Sequence, residues 1–288
     1  MGYSLLKQYY YLTKPGIIYG NALPALAGFF LASKHHVHLS LLFFMIVGLS
    51  LVIASACVFN NYLDRNIDAA MQRTKHRALV SKQISPSSAL IYGSVLGIIG
   101  ALILDIHTTI LTMLIALLGF VVYVVFYGVG KRRSPLGTLI GSVAGAVPPV
   151  VGYTAVTNQL DSTAVILFFI LVFWQMPHFY GIALYRYKDY KNAGLPVLPV
   201  KKGAWQTKLQ TLCYIVAFTV VALLLSVFGS TGIIYAIIVL LLGTYWFFVG
   251  LTNFNRLEDA LWGRKVFLTS LVVLTVLCAT ISVDAFLI

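Results

Sequence analysis

The sequence predicts an all-α polytopic membrane protein: nine transmembrane helices, arranged as two related four-helix halves plus a ninth helix. Three observations point there. The 288 residues are 60% hydrophobic and only 10% charged, too few polar side chains to cover a soluble globule of that size. Apolar runs of about 20 residues, the length a helix needs to cross a bilayer, recur along the chain. The runs are continuous rather than alternating, which disfavours a strand barrel and leaves helices as the spanning structure.

In order, the runs cover 15–33, 40–60, 87–104, 109–127, 137–156, 163–184, 209–228, 233–251 and 266–286. Charge tests that count. Nineteen of the twenty Lys and Arg fall in segments 1–14, 61–86, 128–136, 185–208 and 252–265, and Lys34 alone lies on the other side. The positive-inside rule then places the N-terminus and the basic loops in the cytoplasm and the C-terminus outside. The net charge of +12 therefore marks topology, and nucleic acid is not an expected partner. The chain reads as a single transmembrane domain over 1–288, with functional loops at 61–86, 128–136 and 185–208. Asp64 and Asp189, each two residues after a Tyr in the two longest loops, hint at the repeat between halves.

The first fourteen residues hold two Lys and no Arg and run almost directly into an apolar segment, so no signal or transit peptide is expected. The expected compartment is a bacterial plasma (inner) membrane. Met1-Gly2 begins like an acylation site, but Leu6 stands where Ser or Thr is required. Cys57, Cys213 and Cys278 lie inside apolar runs and are read as small buried residues rather than as a disulfide or zinc framework. Gly137, Gly141 and Gly145, like Gly93 and Gly97, recur every four residues and predict close helix packing. Trp205, Trp246 and Trp262 near span ends are read as interfacial anchors.

The chemistry is concentrated where the second span ends. Asn60, Asp64 and Asp68 are four apart and share one face if the helix continues, with neighbours about 5–6 Å apart. Two carboxylates at that distance repel unless something positive lies between them. A hard cation such as Mg²⁺, which takes oxygen ligands together with substrate phosphate, satisfies them. The next residues bring Arg73, Lys75 and Arg77, so acid for a metal stands beside base for a phosphate. A second such run is Tyr185-Arg186-Tyr187-Lys188-Asp189-Tyr190-Lys191 after the sixth span. A third basic group, Lys131-Arg132-Arg133, follows the fourth span with Tyr123 and Tyr127 on the same helix face.

Pro177 removes a backbone donor inside the sixth span and predicts a kink there. Beside it, His178 is the one His within a span, and ionisable groups in a membrane are functional candidates by default.

This combination resembles the UbiA superfamily of intramembrane prenyltransferases, whose Asp-rich loops hold a prenyl diphosphate through Mg²⁺. The superfamily pattern Asn-Asp-x-x-Asp-x-x-x-Asp is met at Asn60, Asp64 and Asp68, with Asn61 where the first Asp usually stands. The second pattern, Asp-x-x-x-Asp, keeps Asp189 and has Ala193 in place of its second carboxylate. Four further runs resemble the branch that farnesylates protohaem. They are Lys14-Pro15-Gly16, Asp68-x-x-Met71-x-Arg73-Thr74-x-x-Arg77, Trp174 to Phe179, and Asp189 to Val200.

The resemblance implies a transfer of farnesyl from farnesyl diphosphate to a vinyl group of haem B. Water is added, and haem O and pyrophosphate are the products. It implies Asp64, Asp68, Asp189 and His178 as catalytic residues, and Asn60, Asn61, Asp64, Asp68 and Asp189 as ligands of Mg²⁺. Asn60, Arg73, Lys75, Arg77, Tyr127, Lys131, Arg132, Tyr185 and Lys188 are implied as substrate-binding. His178 is left with two roles, iron ligand or handler of the water's proton. Membrane lipid surrounds the reactants, and haem A synthase or terminal-oxidase assembly proteins are candidate partners. Three rivals stay open: an aromatic or quinone-precursor prenyltransferase, a transporter, and a non-catalytic haem-delivery protein.

Overall fold

The computed structural model describes residues 4–287, and the Met1-Gly2 start considered above lies outside them. Helix α1 (Leu5–Leu12) precedes the first span, α2 (Pro15–Ser33), and α3 (Leu39–Ala70) and α4 (Pro86–His107) form the second and third. The fourth span joins α5 (Ile110–Val121), a π-helical stretch (Val122–Tyr127) and α6 (Gly128–Arg133). The fifth joins α7 (Gly137–Gly145) to α8 (Val147–Thr157). Then follow α9 (Ser162–Tyr185), the short α10 (Tyr187–Asn192), α11 (Leu198–Val227), α12 (Ile233–Thr252) and α13 (Asp259–Asp284). Among the described residues nine stretches are long and apolar enough to cross a bilayer, as the sequence predicts.

Helix and apolar run end at different places. Helix α3 continues ten residues beyond the expected boundary at 60, because no Gly or Pro interrupts it before Met71. Its 32 residues span about 48 Å at 1.5 Å each, against an apolar bilayer core of about 30 Å. The last turns therefore project beyond the core and carry Asn60, Asn61, Asp64 and Asp68 with them. At the other long loop, α11 starts at Leu198 with Pro199 in its first turn, and Gly203 (φ 83°) bends it before the apolar part begins. Helix α9 runs through Pro177 as one unbroken helix.

Helix α3 packs along α4, α2 along α8, and α9 against both α11 and α13. Phe29, Met45, Leu167, Ile170, Phe218 and Trp246 are fully buried between them. Leu102, Leu118, Val227 and Leu241 are exposed on the outer faces, an arrangement that water penalises and lipid accepts. Two sequence readings change here. Trp246 and Trp262 are buried completely, not placed as surface anchors. Their indole nitrogens donate to the carbonyls of Val266 (3.3 Å) and Gly250 (2.9 Å), which satisfies the polar atom inside the bundle. Cys57 and Cys278 are buried as expected, but Cys213 faces outward from α11.

The glycine row of α7 is where packing positions chemistry. A Cβ on Gly137 would lie 2.5 Å from the Cα of Lys131, and one on Gly141 would lie 3.0 Å from the Tyr127 ring. The missing side chains let the basic end of the fourth span lie directly on α7. A tighter contact joins α2 and α8, where a Cβ on Gly152 would fall 1.9 Å from the Ala25 carbonyl oxygen. Replacing Gly152 by Val is expected to lower the unfolding temperature of the purified protein by several degrees, since overpacking costs at least about 1–3 kcal/mol. Gly20→Ala, with nothing within 4 Å of the new Cβ, is expected to leave it unchanged. Equal melting of wild type and Gly152→Val contradicts this packing.

Candidate functional site

The projecting end of α3 presents Asn60, Asn61, Asp64 and Asp68 on one face, all buried although all are polar. Burial of such a stripe is tolerable only with partners, and those partners come from three separate parts of the chain. Lys131 and Arg132, at the end of the fourth span, pair with the two oxygens of Asp64, Lys131 with Oδ2 and Arg132 with Oδ1 at 3.3 Å. Arg132 also donates to the Leu63 carbonyl at 2.6 Å. Arg77, from the loop after α3, donates to Asp68 Oδ2 at 2.6 Å and to Asn61 Oδ1 at 3.0 Å. Lys14, just before the first span, donates to Asn60 Oδ1 at 2.7 Å.

The loop is pinned where it matters. The hydroxyl of buried Thr74 donates to the Asp68 carbonyl at 3.0 Å, which ties the turn carrying Arg77 back to the helix end. Asn61 Nδ2 donates to the Leu12 carbonyl at 2.7 Å and holds α1 against α3. Asn60 Nδ2, also buried, has no partner among the described residues.

Lys14 belongs to the Lys14-Pro15-Gly16 run of the sequence but not to its predicted site residues, and the structure adds it to the site. Its backbone is left-handed (φ 53°, ψ 66°), which costs a non-glycine residue about 1–2 kcal/mol and is sustained where neighbouring contacts fix it. Burial lowers its ammonium to about 8, the cations Arg77 and Lys131 push the same way, and Cys57 and Asp64 oppose them. The sequence signal was a lone Lys directly before Pro at the basic end of an apolar run.

Aromatic rings line the same end. The Lys131 ammonium lies 4.7 Å from the Tyr127 ring centroid, and Tyr127 stacks on Tyr123 at 5.4 Å. The π-helical stretch that carries both is a local widening often found at functional sites. Tyr190, Asp64 and Arg73 all lie within Coulomb range of the Tyr127 phenol, so the two long loops meet here. Burial raises the Tyr190 phenol above its usual value while Arg73 and Arg186 oppose the shift. Tyr190 is therefore a neutral hydrogen-bond donor.

Other expected residues sit apart. Tyr185, Lys188 and Asp189 line a cavity of about 600 Å³ between the ends of α9, α10, α11 and α13, with Asp259 on its far wall. Arg186 and Arg264 lie over the Tyr185 ring, 4.5 and 6.0 Å from its centroid. Among the described residues no three His, Cys, Asp or Glu side chains gather, so Asp189 does not join Asp64 and Asp68 in one cluster. Lys75 is exposed. His178 lies within α9, with its Nδ1 2.7 Å from the Ser270 hydroxyl of α13.

Chemically, the α3 face offers hard oxygen donors in Asp64, Asp68 and Asn61, the set that Mg²⁺ prefers. The orphaned amide of Asn60 and four cations beside those oxygens suit an anion rich in phosphate oxygens. The residues fit a metal-bound diphosphate.

Known proteins bear on this arrangement at two levels. In fold, the chain is similar to a solved digeranylgeranylglyceryl phosphate synthase (TM-score 0.82, 18% identity, 98% of this chain and 99% of that one). It is also similar to a UbiA homologue from Archaeoglobus fulgidus solved with GPP and Mg²⁺ (TM-score 0.74, 16% identity, 96% and 99% covered). In sequence, it is 49% identical over 280 residues to a protoheme IX farnesyltransferase of Protochlamydia amoebophila, covering 97% of this chain and 99% of that one. It is 48% identical over 281 residues to a protein of the same name from Cronobacter sakazakii, covering 97% and 95%. The model of the UbiA prenyltransferase family matches residues 21–272. The chain is a membrane-embedded member of the UbiA prenyltransferase family.

Proposed function

We propose that the protein transfers a farnesyl group from farnesyl diphosphate to a vinyl group of haem B, with addition of water. The observation that carries the reading is the convergence of Lys14, Arg77, Lys131 and Arg132 on one buried face of α3. The names of the relatives, nearly half identical over almost the whole chain, supply the donor and the acceptor.

Asp64 and Asp68, helped by Asn60 and Asn61, would hold Mg²⁺, while Asp189, the carboxylate of the second motif, lines the neighbouring cavity and stands outside this metal set. Bound there, Mg²⁺ would supply positive charge to the pyrophosphate that leaves. The four cations of the α3 face, with Arg73 from the loop beside Tyr127 and Tyr190, would neutralise the same charge, and Asn60 Nδ2 and the Tyr190 hydroxyl would donate to its oxygens. As the C–O bond to the diphosphate breaks, the farnesyl chain becomes an allylic cation. The ring faces of Tyr123 and Tyr127, one of which already carries an ammonium, stabilise that cation. The vinyl group of haem adds its π electrons to the farnesyl carbon, and water captures the cation left on the former vinyl carbon as a hydroxyl, its surplus proton passing to the released pyrophosphate.

With its basic loops retained in the cytoplasm, the site opens on that side of a bacterial plasma membrane, where haem A synthase or terminal-oxidase assembly proteins would receive the product.

Incubation of the purified protein with haem B, farnesyl diphosphate and Mg²⁺ is expected to add one farnesyl group and one water to the haem, read by mass spectrometry. Unchanged haem with a folded protein, or farnesylation of an aromatic quinone precursor instead, overturns the reading. Asp64→Ala is expected to reduce turnover at least about 100-fold while the protein stays inserted and folded. Normal turnover in that variant refutes the proposed metal face. Lys14 is charged below about pH 8 and neutral above it, so kcat/KM for farnesyl diphosphate is expected to fall above that pH. Lys14→Arg is expected to remove the fall, and a wild-type profile flat through pH 9 contradicts the role given to Lys14.

A further inference from the structure

Helices α9 and α13 cross where Gly181 meets Gly263, so closely that a Cβ on either would lie 2.8 or 2.6 Å from the other's carbonyl oxygen. That approach brings Ser270 of α13 against His178 of α9, Oγ to Nδ1 at 2.7 Å. A serine hydroxyl has one proton, and Ser270 gives it to the Phe267 carbonyl at 2.6 Å. Toward His178 it therefore only accepts. Nδ1 must carry the imidazole proton, which leaves the lone pair on Nε2.

The rest of the ring is enclosed. Trp174 stacks on it at 4.8 Å, Phe267 lies at 5.0 Å, and Phe179 meets it edge-on at 5.4 Å. Trp174 is itself fixed by donating its indole N–H to the Ser270 carbonyl at 2.9 Å. Nε2 makes no hydrogen bond among the described residues and is not one of the buried, unpartnered atoms, so it is the accessible corner of the ring.

We propose that Ser270 is a positioning residue, which presents Nε2 of His178 as a neutral ligand to the iron of the haem substrate. The proposal rests on the haem-farnesylation reading and deepens it. Of the two roles left to His178, the surroundings favour ligation over proton transfer. The groups facing the imidazole are Trp174 and Phe179 from α9 and Phe267 and Ser270 from α13, none of them charged. An imidazolium there would lack a counter-charge, whereas an iron ligand stays neutral. A ligating His characteristically donates its second N–H to a fixed acceptor, and Ser270 is that acceptor. Held on one axial side, the macrocycle cannot drift while its vinyl edge waits for the farnesyl cation.

The test is a titration of the full-length protein with ferric haem B, followed by absorption and electron paramagnetic resonance, with product formation measured on the same samples. Wild type is expected to give an imidazole-ligated spectrum that His178→Ala loses. Ser270→Ala keeps the carbonyl that holds Trp174 and removes the acceptor for Nδ1 together with the hydroxyl's own bond to the Phe267 carbonyl. It is expected to weaken haem binding about tenfold and to raise KM for haem more than it lowers kcat. Ser270→Thr, which restores the hydroxyl, is expected to recover both. An imidazole-ligated spectrum in His178→Ala overturns the ligation, and wild-type haem affinity in Ser270→Ala overturns the positioning role. If the spectra behave as expected while wild type forms no farnesylated haem, the haem-farnesylation reading fails and the ligation stands.

Discussion

Two carboxylates one helical turn apart on a buried face govern the rest of the structure. At about 6 Å and an effective dielectric near 20, Asp64 and Asp68 repel by about 3 kcal/mol, and burial removes the water that would screen them. The helix can carry them only if cations come to it. Lys131 and Arg132 arrive from the fourth span, Arg77 from the following loop, and Lys14 from the entrance of the first span to the adjoining Asn60. Segments distant in sequence are thus gathered at one end of the bundle by a single electrostatic requirement. The same requirement explains why that end holds opposite charges in equal readiness for a metal and for phosphate.

Helix packing answers to this site as well. Gly137 and Gly141 have no side chain, so Lys131 and Tyr127 can lie against α7 while Lys131 still reaches Asp64. The π-helical stretch before Gly128 changes the phase of the fourth span just ahead of its basic end. Deeper in the bundle, His178 lies in an uncharged aromatic setting. In the proposed reaction the two reactants would meet different chemistry, the anionic diphosphate at the loops and the haem iron among aromatic rings.

Much of this was legible in the sequence. Apolar run length gave the nine spans, and the four-residue spacing of Asn60, Asp64 and Asp68 placed them on one face of a helix that does continue to Ala70. What was missed has physical reasons. Lys14 joins the site through a left-handed backbone turn that no periodicity encodes. Trp246 and Trp262 sit near span ends, where composition suggests anchoring, yet a seam between helices with free carbonyls for the indole N–H draws them inside. Asp189 matches its motif, but α10 turns it toward the cavity shared with Asp259 while Tyr190 faces the site. Ser270 carries no signal at all, because its role depends on where α13 crosses α9.

The α3 face as anchor of the diphosphate is tested most directly by equilibrium binding of pyrophosphate to the full-length protein with Mg²⁺, comparing wild type with Lys14→Met and Lys131→Met. Each ammonium makes a charge-assisted hydrogen bond worth about 1.5–3 kcal/mol, so each loss should weaken binding at least about tenfold. Unchanged affinity in both variants would place the anion elsewhere and contradict the site.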